Sequence, residues 1–90
     1  MIEKEIANYG LRWKHSGSWY LKMCVEYIIE SGDPTAALTK EIYPEIGKKY
    51  GVDWRCVERS IRYAIKSAGL NMKPGDLIFK IVMEVLQHEN

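Results

Sequence analysis

Residues 46–66 read IGKKYGVDWRCVERSIRYAIK. The basic side chains Arg55, Arg59, Arg62 and Lys66 follow one another at gaps of 4, 3 and 4. At 100° per residue they fall within an arc of about 60° on one side of a helix. Val57, Ile61, Ala64, Ile65 and Ala68 fall within an arc of about 100° on the opposite side. Residues 54–68 therefore read as one helix, half core and half cationic ridge. Glu58 and Tyr63 flank the ridge on either side.

What precedes this helix gives it a partner. Ile46-Gly47 is followed four residues later by Gly51-Val52. A small residue at 47 lets two helices cross closely, and glycine at 51 permits the positive φ of a tight turn. Asp53 is placed to cap the second helix, and Val52, Val57 and Ile61 are placed to lock it against the first. Two helices joined by a 3–4-residue turn, the second offered to the major groove, make a helix-turn-helix.

The side chains suit double-stranded DNA. An arginine fork matches O6 and N7 of guanine, and a glutamate such as Glu58 accepts from the N4 amine of cytosine. Lys48 and Lys49, at the end of the first helix, are placed to meet backbone phosphates, which position a protein without reading sequence. The charge distribution agrees. The net charge is only +1, yet residues 36–66 hold seven basic and four acidic side chains, and both flanking segments are slightly acidic. A basic field concentrated in the middle third points to an anionic partner.

Working outward, nearly everything reads as helix. Ile2, Ile6 and Tyr9 share one face of a short first helix that Gly10 stops. After a loop over 10–17, Ser16 or Ser18 caps a helix running to about Ser31, with Leu21, Cys24, Val25 and Ile28 toward the core. Gly32 supplies its left-handed end, and Asp33-Pro34 blocks continuation. The segment 36–50 carries helical periodicity interrupted by Pro44. It reads as a short helix to about Tyr43 followed by a second from Pro44, or as one kinked helix. Gly69 ends the ridge-bearing helix, residues 70–75 form a turn, and Asp76 caps a last helix with Ile78, Ile81, Val82 and Val85 on one face. No segment alternates at period 2. The expected fold is all-α, a compact bundle of about five or six helices forming one domain over residues 1–90.

Composition excludes other classes. Apolar residues make up 47% and charged residues 28%, which suits a soluble globular chain rather than a disordered one. No apolar run approaches the roughly 20 residues of a membrane span. The start, MIEKEIANYG, lacks the apolar core of an export signal, so a cytoplasmic location with reduced thiols is expected. Cys24 and Cys56 lie too far apart for a metal-ligand spacing and read as packing or surface thiols. His15 and His88 form no catalytic constellation with a serine, cysteine or acid. No enzyme, cofactor, metal or small-molecule substrate is expected.

The stretch LTKEIYPEIGKKYGVDWRCVERSIRYAIKSA resembles the C-terminal DNA-binding effector domain of the sporulation initiation response regulator, the stage zero sporulation protein A family of endospore-forming bacteria. The likeness is densest at Thr39-Lys40, at Tyr43-Pro44 with Ile46 and Lys48-Lys49, and at Val57-Glu58-Arg59 with Ile61-Arg62 and Ala64-Ile65. Weaker similarity runs back through Gly10, Gly17 and Tyr20-Leu21 and resumes around Leu86 and His88-Glu89. The resemblance implies a transcription regulator that binds specific DNA, in which Glu58 and Arg59 sit at base edges. It places Arg62 at bases or the adjacent backbone and Tyr63 where the family tends to have histidine. It also raises a homodimer on DNA. Three departures stand out: Cys56 replaces a basic residue with Arg55 one position earlier, Trp54 replaces a small residue, and the connection over 69–75 is too short for the extra helix the family has there. Members usually carry an N-terminal phosphoacceptor receiver domain, for which ninety residues leave no room.

A rival reading comes from three tryptophans and six tyrosines, since aromatics favour protein interfaces. Such a helical interaction domain would bind or titrate a related regulator. Most of these rings are expected to fill the core.

Overall fold

In the computed structural model, which describes residues 2–32 and 37–88, five α-helices surround one apolar core: α1 (Ile2–Asn8), α2 (Ser16–Ser31), α3 (Tyr43–Tyr50), α4 (Trp54–Ser67) and α5 (Pro74–His88). The Asp33-Pro34 stop falls outside the described residues. A single π-helical turn, Leu38–Ile42, runs directly into α3. Its signature is the bond from the Ile42 amide to the Ala37 carbonyl, 3.2 Å, five residues back. Pro44 falls in the first turn of α3, where its fixed φ suits the helix. Over residues 37–50 the two alternatives thus resolve into a π turn followed by a helix with proline in its first turn.

The core is the sum of the helix faces. Leu21, Cys24, Val25 and Ile28 of α2, Val57, Ile61, Ala64 and Ile65 of α4, and Leu77, Ile78, Ile81, Val82 and Val85 of α5 are all buried. Ile6 of α1 and the α3 residues Tyr43 and Ile46, next to Ile42 of the π turn, close it. The Cα radius of gyration, 12.0 Å, matches the roughly 12 Å expected of a single domain of this length. Helix α4 packs most extensively on α2 and next on α3, and α5 lies chiefly against α2.

The helix ends depart from expectation in two places. Neither Ser16 nor Ser18 caps α2. The N-cap is His15, with no side-chain cap bond, and the buried Ser18 hydroxyl donates to the Arg12 carbonyl at 2.7 Å. A hydroxyl with no solvent access must find an acceptor inside the fold, and the loop carbonyl supplies it. Asp76 does not cap α5 either. The helix opens two residues earlier at Pro74, and Asp76 lies within the first turn. Proline's fixed φ and absent N–H suit that first position. The turn expected over 70–75 accordingly occupies 68–73, with no helix in it.

Candidate nucleic-acid interface

The helix-turn-helix is α3, a three-residue turn and α4. Gly51 takes φ 70°, the left-handed geometry that ends α3. Val52 then reverses the chain, donating its amide to the Gly47 carbonyl at 2.8 Å. At Gly47 a Cβ would stand 2.4 Å from the Val52 carbonyl oxygen, so the turn folds back onto the bare glycine. The close approach expected at 47 is thus between helix and turn. Asp53 accepts from the Arg55 amide at 2.8 Å, the N-cap bond that starts α4.

Helix α4 shows the division its spacing predicts. Val57, Ile61, Ala64 and Ile65 are buried, while Arg55, Arg59, Arg62 and Lys66 are exposed on the outer face. Its two outermost arginines are partly engaged. Arg55 lies with its guanidinium 5.2 Å from the centre of the Trp54 ring and 4.0 Å from the Asp53 carboxylate. Arg62 reaches the Glu58 carboxylate at 3.8 Å, one helical turn back. Among the described residues, Arg59 and Lys66 pair with no carboxylate. Lys48 and Lys49 are exposed in the last turn of α3. Tyr63 is 62% exposed and meets the His15 ring edge to face, centroids 5.1 Å apart. Lys48 and Lys49 border the grooves between α2 and α3, whereas Arg59 and Tyr63 border the loop ahead of α2.

Spacing along the chain gave no sign of a third wall beside the ridge. A Cβ on Gly17 would stand 1.9 Å from the Ser60 carbonyl oxygen, so the first turn of α2 lies directly on the middle of α4. That contact carries Lys14 and His15, just ahead of α2, to the flank of the ridge. The signal available in sequence was Gly17 itself, but a glycine does not reveal which helix approaches it.

The aromatic side chains divide. Tyr43 is fully buried, and Tyr9, Trp13, Tyr20 and Trp54 pack on the core edge. Trp19, Tyr27, Tyr50 and Tyr63 are exposed, so fewer rings fill the core than expected. Trp19, Tyr20, Met23 and Tyr50 line a groove between α2 and α3. Burial pushes the Cys24 thiol well up from its ordinary range, which keeps it protonated and inert. Among the described residues no cluster of histidine, cysteine and carboxylates is arranged to hold a metal, and no helix is long and apolar enough to cross a membrane.

The family model "Sporulation initiation factor Spo0A C terminal" matches residues 2–90. No solved structure matches the chain.

Proposed function

Since the chain belongs to the family of the sporulation initiation factor Spo0A C-terminal domain, a DNA-binding regulatory domain and not an enzyme, we propose that α4 is its recognition helix. In this reading α4 lies in the major groove of double-stranded DNA with Glu58 and Arg59 at base edges. Arg62 serves bases or the adjacent backbone, Tyr63 borders them, and Arg55 and Lys66 extend the cationic ridge at its two ends. Lys48 and Lys49 contact phosphates from the end of α3. The observation that carries the proposal is the division of α4 itself, a buried apolar face backed by an exposed basic one. Pairing of two copies on DNA belongs to the same proposal, and sedimentation of the protein–DNA complex counts them.

Fluorescence anisotropy on two labelled duplexes tests it: the operator box of the family and a scrambled version, each across a salt series. The expected outcome is salt-sensitive binding with preference for the box, the log–log slope being about −0.9 per phosphate neutralised. Salt-sensitive binding without preference keeps DNA as the partner and removes the family's site.

A second reading draws on the groove of Trp19, Tyr20, Met23 and Tyr50. A protein partner seated on these apolar rings would be held with little dependence on salt.

A further inference from the structure

The loop ahead of α2 and the flank of α4 enclose a cleft of about 390 Å³ with Lys14 and His15 on one wall and Arg59 and Tyr63 on the other. No carboxylate lines it. The nearest acid on the ridge, Glu58, is engaged with Arg62 at 3.8 Å. The two walls are joined rigidly, by the backbone contact of Gly17 with Ser60 and by the edge-to-face contact of His15 with Tyr63 at 5.1 Å. Two cationic side chains and an imidazole thus face a space that the molecule leaves open and that no anion of its own neutralises.

Resting on the assignment of α4 as recognition helix, we propose that this cleft seats a backbone phosphate of the bound duplex, with Lys14 and His15 as its positioning contacts. Arg59 belongs to both surfaces, lining the cleft and standing in the ridge. With α4 in the major groove, an element fixed against its flank meets the sugar–phosphate strand that borders that groove. A phosphodiester takes charge from Lys14, and an imidazole N–H donates to it in either tautomer. The contact reads no base. It sets the register in which Arg59 and Glu58 meet theirs.

The test uses the full chain on the box and scrambled duplexes across a salt series, with Lys14→Ala, Lys14→Arg and Arg59→Ala beside the unchanged protein. Lys14→Ala is expected to weaken binding to both duplexes by the same several-fold factor and to make the salt slope shallower by about 0.9. Lys14→Arg restores both. Replacing one phosphate flanking the box with an uncharged methylphosphonate weakens the unchanged protein and leaves Lys14→Ala unaffected. If Lys14→Ala keeps the original affinity and slope while Arg59→Ala loses preference for the box, the phosphate seat is wrong and the recognition helix stands. If the unchanged protein binds neither duplex at low salt, both fall together.

Discussion

Arg59 and Arg62 carry the same charge on the same ridge, yet they stand in different states. Arg62 is held by Glu58 at 3.8 Å, whereas Arg59 pairs with no carboxylate among the described residues. An arginine already holding a carboxylate must give up that contact before it can fork onto a base. Arg59 has no such cost, so it should dominate discrimination. Arg59→Ala is expected to lose about 1–3 kcal/mol on the specific site and to relax preference at one base pair, read by competition against single-base variants. Lys48→Ala should instead weaken every duplex about equally and reduce the salt slope by about 0.9. The ridge was legible in sequence because its members lie on one helix, where periodicity alone assigns a face. The contact of Tyr63 with His15 was not, because it joins residues 48 positions apart whose proximity no local pattern encodes.

The turn between α3 and α4 depends on two glycines for different reasons. Gly51 needs its positive φ, and open space surrounds the position a Cβ would take. Gly51→Ala therefore pays only for left-handed backbone, about 1–2 kcal/mol. Gly47 has no such strain, but a Cβ there meets a backbone oxygen at 2.4 Å, which cannot rotate away as a side chain does. Gly47→Ala should cost about 1–3 kcal/mol or more and should shift the turn, so that DNA affinity falls further than with Gly51→Ala. Urea denaturation and anisotropy on the same pair of variants separate the two effects. Both glycines stand at the turn as their spacing implies, but what approaches Gly47 is the turn backbone and not a second helix. Pattern shows that a small residue is needed without showing what approaches it. The caps expected at Ser16 or Ser18 and at Asp76 differ from the observed starts for a related reason. Cap preferences are local, and each was overridden, by burial of Ser18 and by Pro74 opening α5.

Across the bundle, α4 packs more extensively on α2 than on α3, its partner in the helix pair. The contact of Gly17 with the Ser60 carbonyl has no room for a methyl group. Gly17→Ala should lower stability by about 1–3 kcal/mol and displace the whole ridge, weakening DNA binding although no DNA contact is touched. Thermal melting and anisotropy check the two parts. At the far side, the Tyr9 hydroxyl donates to Glu84 at 2.6 Å and ties the end of α1 to α5. Burial first, and then this bond, push the Tyr9 phenol up from 10.0 to about 12. The unfolded chain thus loses this proton before the folded one does. The stabilisation is complete below about pH 10 and is lost as pH rises toward 12. Urea denaturation between these values should show a shallower alkaline fall for Tyr9→Phe than for the unchanged protein.

From the order of residues alone came the all-helical class, the helix pair around residues 47–53, the basic outer face of α4, and the likeness to a sporulation regulator. The helix pair and the basic face rest on relations within about twenty residues, where helical geometry converts spacing into direction, and the likeness rests on the residues themselves in their order. The placement of α2 across α4, the cleft holding Lys14 and His15, and the division of aromatics between core and surface came only with the folded chain. They depend on which helix faces meet, and that is settled by how all five apolar faces share one core rather than by any segment taken by itself.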